Sequence, residues 1–412
     1  MHARMQAAPP AHDLSSRYEA VRARTREIFD LLAPDAFDQR PIALRHPIRF
    51  YEGHLASFNF GMLLQSGFAK ADPQPELTAL FARGIDPLNE AAADHASIHQ
   101  WPPRAVVRDY IERVESRMRA ALRDGVDPLY LHTAVEHEEM HQETLVYLVH
   151  RLPHEMKQMP LGASVERGSA PPSPWMNIVA GQARLGADRD AGEFGWDNEF
   201  PAHEVEVRGF ELQSRKVTNG DFLEFVEDGG YDREELWPPD SWRHLQEQKI
   251  AAAPFWERRD DRWILRAAFE DLPLPPEWPV FVSFIEARAY TLWKGVRLPT
   301  EAEWHRAFDG SETPQAVRDN FDLTRWNPAP VQSGELAGNG WEWTSTPFAG
   351  LPGFAPFPHY PGYSADFFDN RHYVLKGASP VTPAALVRPS FRNWFQDQYR
   401  HAYTAFRCAR DA

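Results

Sequence analysis

The sequence predicts an α domain followed by an α+β domain: a four-helix bundle over residues 14–160, then a domain of short strands and long loops over residues 175–411. Three observations carry this. A chain of 412 residues, 43% hydrophobic and 25% charged, is long enough for two cores and too apolar to stay disordered. Composition shifts along it: of 14 tryptophans only Trp101 precedes residue 170, whereas 11 of 17 histidines lie at or before His154. Apolar spacing also changes, from helical period in the first part to short alternating runs in the second.

Ser15 to Leu32 carries Tyr18, Val21, Ile28, Leu31 and Leu32 at helical spacing, with Asp13 or Ser15 as a candidate N-cap. His46 to Leu64, Arg104 to Leu122 and Pro128 to Leu152 are the other long helices. Within Arg104 to Leu122, the residues Val107, Tyr110, Ile111, Val114 and Met118 repeat every three to four positions. Four such helices joined by loops make a bundle. Between Gly162 and Pro174 the run Gly168-Ser169-Ala170-Pro171-Pro172-Ser173-Pro174 cannot continue a helix and reads as the linker. Beyond it, Ala202 to Val207 and Trp263 to Leu265 read as strands. Trp237 to Trp256 and Phe348 to Tyr363 read as long irregular loops tied down by aromatic side chains.

The formal charge of −15 leaves no surplus of Lys and Arg to neutralise phosphates, so a nucleic-acid or anionic-membrane partner is not expected. No apolar run approaches the length of a membrane helix, and the first ten residues lack a signal-peptide core; a soluble, cytoplasmic protein is expected. One cysteine, Cys408, excludes an internal disulfide and any chemistry run by a cysteine pair. The sequence leaves the oligomeric state open.

The sharpest local signal is His137-Glu138-Glu139-Met140-His141-Gln142-Glu143. Positions i and i+4 of a helix share a face, so His137 and His141 can bind one metal ion, which imidazoles alone do not select among Zn, Fe, Cu and Ni. Glu143 lies about 200° round the helix from His141, at roughly 100° per residue, and faces away. His54, in the aromatic stretch Arg49 to Phe60, is the candidate third ligand from an adjacent helix. The alternative is a pair of histidines on a solvated helix face.

The second domain carries Phe194-Gly195-Trp196-Asp197-Asn198-Glu199, Lys216-Val217-Thr218-Asn219, Arg297 to Trp304, Gly338-Asn339-Gly340-Trp341-Glu342-Trp343-Thr344 and Val374 to Ser379. These phrases resemble the formylglycine-generating-enzyme (sulfatase-modifying-factor) domain, a C-type-lectin-like fold. A DinB-like bundle with His54, His137 and His141, fused to that domain, resembles the ergothioneine-type sulfoxide synthases over nearly the whole chain after Ser15. The resemblance implies a non-heme Fe(II) enzyme that uses O2 to join a sulfur nucleophile to an imidazole carbon of hercynine. It implies that His54, His137 and His141 hold the iron, and that a tyrosine near it, Tyr360 or Tyr363, with Tyr373 behind them, is a catalytic proton donor or redox partner.

Departures from the family bear on the substrate. Relatives that use γ-glutamylcysteine carry an Asn-Trp-Asp-x-x-x-Arg stretch; here it reads Asn393-Trp394-Phe395-Gln396-Asp397-Gln398-Tyr399. Asn393 and Trp394 match the part that handles hercynine, and Trp394 can attract its quaternary ammonium. Phe395 and Tyr399 replace the charged pair that would meet a γ-glutamyl group. No Lys or Arg occurs between Gly84 and Pro103, where relatives often carry arginines. Bidentate carboxylate recognition needs a guanidinium, whereas aromatic and hydroxyl groups suit a neutral sugar. Met140 replaces a glutamine that relatives use near hercynine. The pattern therefore resembles the selenoneine-forming branch, in which a selenosugar (or, in its place, a thiosugar) is the partner substrate of hercynine. The alternatives are that Arg392 or Arg400 supplies the clamp, making the chain a cysteine- or γ-glutamylcysteine-using sulfoxide synthase, or that it is a zinc-dependent DinB thiol transferase or a non-enzymatic glycan-binding module.

Overall fold

A computed structural model describes residues 11–82, 101–160, 163–192, 194–309 and 316–412. The chain divides into two units, Met1–Leu161 and Gly162–Ala412.

In the first unit, helices α1 (Ala11–Asp30), α2 (Ile48–Gln65), α4 (Arg104–Asp124) and α5 (Pro128–Arg151) form the bundle, with a short α3 (Pro75–Phe81) laid on α2. Helix α2 packs on α4 and α5, and α1 packs on α5. The predicted stripes face inward: Tyr18, Val21, Val114, Met118, Ala134 and Val135 share one buried cluster. Two helix starts differ from expectation. Helix α1 starts at Ala11, so Asp13 and Ser15 lie inside it and neither is the N-cap. Helix α2 starts at Ile48 rather than His46, because Pro47 is the extended N-cap and the residue before a proline avoids helical angles. Gly125, in the left-handed region at φ 73°, ends α4. The Asp127 carboxylate accepts from the Leu129 N–H (3.0 Å) to start α5.

Among its described residues the second unit holds twelve strands in four small sheets: β1 (Trp175–Ile178), β2 (Gly181–Leu185), β3 (His203–Val207), β4 (Phe210–Gln213), β5 (Trp256–Arg259), β6 (Arg262–Arg266), β7 (Asp271–Pro273), β8 (Gly340–Pro347), β9 (His372–Ala378), β10 (Asn393–Gln396), β11 (Thr404–Ala405) and β12 (Ala409–Asp411). The sheet orders are β1-β4-β12, β10-β9-β8-β11, β2-β3 and β5-β6-β7. Helices α6 (Asn219–Glu227), α8 (Phe284–Lys294) and α9 (Glu301–Phe308) each open on a capping box, from Thr218, Ser283 and Thr300. Helix α7 (Pro239–Gln248) corrects the expectation of an irregular loop from Trp237 to Trp256. A proline just inside a helix start favours it, and Ser241 and Leu245, four apart, give it a buried side. Phe348 to Tyr363 has neither helix nor strand.

The signature phrases serve this architecture. Trp341 and Trp343 in β8 are fully buried, and the Trp343 indole donates to the Val282 carbonyl (2.9 Å). Gly338 sits at φ 82°, where a Cβ would fall 1.8 Å from the Asp319 carbonyl oxygen, so only glycine fits.

Candidate metal centre

Helix α5 presents His137 and His141 one turn apart, and α2 presents His54 toward them. One ligand atom from each lies within 4.8 Å of the others, making these the group of three among the described residues suited to a metal ion. Their ring centroids are 5.2 Å (His54–His137), 4.8 Å (His54–His141) and 4.4 Å (His137–His141) apart. Glu143 is buried elsewhere on α5 and is not in the group. Met140 is half-buried on the same helix.

The surroundings make the imidazoles neutral bases. Burial holds His54 down to about 4, and pushes His137 and His141 well below the ordinary histidine range, with the neighbouring histidines adding to the effect. Neutral imidazole is the form that binds metal. The His54 Nδ1–H donates to the Phe81 backbone carbonyl (2.8 Å), which can only accept, so the lone pair resides on Nε2. That Nε2 is buried and makes no hydrogen bond. A buried, unsatisfied lone pair beside two further histidines fits a metal ion. Aromatic rings wall the site: Phe58 stacks on His137 (3.4 Å, 6°), Phe50 on His54 (5.2 Å, 16°), and Tyr51 lies 5.8 Å from His141.

Sequence reading missed the ionic network that anchors α5. Glu138, next to His137, is buried; it accepts from Arg22 (2.6 Å) and Thr25 (2.6 Å) of α1 and from Asn59 (3.4 Å) of α2. Arg17 of α1 pairs with Glu136 and Glu139, and the Gln142 amide donates to Thr25 (3.0 Å). The arginines of α1, at positions 17 and 22, were the available signal, but charges on helices ordinarily read as solvated.

The second unit splits the predicted substrate residues into two sets. Side chains alternate along β10, so Trp394 projects to one face and Asn393 and Phe395 to the other. On the first face Trp394 is stacked by Phe348 (4.3 Å, 8°) and met edge-on by Tyr363 (5.3 Å), which stacks on Trp196 (4.0 Å). One face of Trp394 is thus covered, and Phe367 also lies 5.5 Å from the ring, tilted by 48°. Tyr360 lies 5.7 Å from Tyr363; burial, reinforced by the carboxylates of Asp197 and Asp366, pushes its phenol up to about 12. Tyr373 instead stacks on Phe284 (3.6 Å). Phe395 and Tyr399 stack on each other at 4.7 Å and 4°. The Asn393 side-chain oxygen accepts from the Trp394 N–H (2.8 Å). Arg392 is paired with Glu301 (2.8 and 3.1 Å), and Arg400 with Glu286 (2.8 and 3.2 Å) and the Ala252 carbonyl (2.6 Å). Of the Lys- and Arg-free stretch between Gly84 and Pro103, residues 84–100 lie outside the described residues.

Among the described residues no helix is long and apolar enough to cross a membrane. Residues 17–150 match the DinB superfamily, and residues 165–334 and 323–412 match the sulfatase-modifying factor enzyme 1-like domain. A hercynine oxygenase of Mycobacterium tuberculosis is 30% identical over 97% of this chain and 98% of its own. A hercynine oxygenase of Mycolicibacterium thermoresistibile is 33% identical over 75% of this chain and 73% of its own. Ergothioneine biosynthesis protein 1 of Neurospora crassa is 28% identical over 92% of this chain, which spans 56% of that protein.

Proposed function

The chain belongs to the hercynine oxygenase family of oxidoreductases, and we propose that it uses Fe(II) and O2 to join a selenosugar, or a thiosugar in its place, to the imidazole C2 of hercynine. The observation that carries the iron site is the His54, His137 and His141 group with its buried, unsatisfied Nε2. Iron held there by the three histidines would supply the O2-activating redox chemistry of the coupling. The chain's own residues do the rest. Phe50, Phe58 and Phe81 keep water from the histidines. Tyr360, its phenol pushed up to about 12, keeps its proton at neutral pH and is a proton donor; Tyr363 is the second candidate. Trp394 is the second unit's candidate to receive hercynine, Asn393 being turned to the opposite face of β10, and Met140 is the first unit's candidate.

The choice of chalcogen donor rests on charge. A γ-glutamyl group brings an ammonium and carboxylates whose burial without partners costs several kcal/mol, against about 1.5–3 kcal/mol returned by each charge-assisted hydrogen bond. Phe395 and Tyr399 offer a stacked aromatic surface instead, and Arg392 and Arg400 are already committed to Glu301 and Glu286. Such a surface suits a neutral sugar.

The test is turnover of the Fe(II)-loaded protein with hercynine and O2, offering selenosugar, thiosugar and γ-glutamylcysteine in competition. Expected is a kcat/KM for the selenosugar well above that for γ-glutamylcysteine, and weaker sugar use by Phe395→Asp combined with Tyr399→Arg. Equal use of γ-glutamylcysteine would place the chain with the γ-glutamylcysteine-using sulfoxide synthases instead. Bound zinc with no substrate-dependent O2 uptake would favour a thiol transferase.

A further inference from the structure

Helix α2 carries a glycine where its propensity disfavours one. Gly53 is a buried interior position immediately before His54, and glycine there costs stability relative to alanine. Its φ is ordinary, so backbone conformation does not require it. Packing does: a Cβ at Gly53 would meet three ring carbons of Phe81 at 2.6 Å, closer than any carbon contact tolerates. The Phe81 ring, 1% exposed, lies over the Gly53 backbone with Trp101 stacked at 5.9 Å. Phe81 is also the last residue of α3, where carbonyls have no partner within the helix. Its carbonyl is the one that receives the His54 Nδ1–H. Helix α3 is held in register by the Ser57 hydroxyl donating to the Thr78 carbonyl (2.9 Å) and by the Thr78–Tyr110 hydroxyl pair (3.0 Å).

We infer that Gly53 and Phe81 are positioning residues that select the Nδ1–H tautomer of His54: the missing Cβ lets α3 approach until the Phe81 carbonyl captures that proton, so the Nε2 lone pair faces His137 and His141. A neutral imidazole free in water prefers the proton on Nε2, the atom that a metal would need. An outer-shell hydrogen bond that orients a histidine is worth about 10–100-fold in metal affinity. The inference deepens the metal-centre reading and rests on it for its effect on affinity, while the tautomer itself stands apart from any metal.

The experiment uses the full-length protein. Nitrogen-15 NMR of the metal-free chain reads the His54 tautomer, and titration with Co(II) reads affinity. Wild type should show His54 protonated at Nδ1. Gly53→Ala should mix the tautomers and weaken Co(II) binding about 10–100-fold, although alanine raises helix propensity. Gly53→Ala combined with Phe81→Ala removes the clashing ring and should recover the Nδ1–H tautomer and most of the affinity. Finding wild-type His54 protonated at Nε2 overturns the inference without any variant. So does a Gly53→Ala protein with unchanged tautomer and affinity, or a double variant that folds but recovers neither. A wild type that binds no Co(II) yet holds the Nδ1–H tautomer would instead sink the metal reading and leave the positioning intact.

Discussion

Replacing Arg22 by leucine should destabilise the helical unit severely. Arg22 is 4% exposed; it donates to Glu138 (2.6 Å) and to Glu115 (3.0 Å). Without it, Glu115 keeps Arg26 (3.0 Å) and Arg119 (3.0 Å) on its solvent side. Glu138, 1% exposed, keeps only neutral donors, Thr25 and Asn59. The penalty therefore concentrates at Glu138, as a buried carboxylate that has lost its counter-charge. Breaking a buried pair in this way costs about 3–5 kcal/mol. At roughly 2–4 °C per kcal/mol for a domain of this size, the helical transition should fall by about 6–20 °C. Far-ultraviolet ellipticity followed on heating reads it, because helix dominates the first unit. The decisive arm is Arg22→Leu with Glu138→Leu. Removing both charges leaves no unpaired charge, only the neutral donors Thr25 and Asn59 short of an acceptor, and a matched apolar pair is often near neutral, so the double variant should regain at least half of the loss. A single variant within about 2 °C of wild type, or a double variant no better than the single one, would refute the assignment of Arg22–Glu138 as the tie between α1 and the ligand-bearing helix.

His141→Ala should lose bound Fe(II) and turnover while keeping its helical content, whereas Glu143→Ala should keep its iron, since Glu143 is outside the ligand group; metal analysis of anaerobically purified protein checks both. Lys376 gives a pH signature. Burial depresses its ammonium from 10.5 to about 8, despite donation to the Pro389 and Phe391 carbonyls (2.6 Å each) and the nearby Glu301. Between pH 8 and 10.5 the unfolded chain therefore holds a proton that the folded one has released, and stability from this group rises with pH. The stability of wild type relative to Lys376→Met should accordingly grow across that window, by up to about 3 kcal/mol. A difference independent of pH would show that the ammonium is not penalised by burial.

The sequence by itself determined the four long helices of the first unit and their inward faces, because a period of 3.6 residues is written in nearby positions such as Val107, Tyr110, Val114 and Met118. It determined that His137 and His141 share a face, from spacing alone, and it set apart the tryptophan-rich half of the chain. The strand at His203–Val207 was legible for the same local reason. Helix α7 was not, since its prolines read as loop residues until Leu245 and Ser241 were seen to be buried. Only the tertiary structure decided which long-range partners complete the site. The carbonyl that sets His54 belongs to Phe81, 27 residues away, and a backbone carbonyl has no side-chain signature. Arg22 and Glu138 are separated by 116 positions, and each looks like a surface charge until packing removes the water around both. Asn393 and Trp394, adjacent in sequence, read as one hercynine-handling pair; membership of a strand sends them to opposite faces of the sheet, because pleating turns every successive Cβ over.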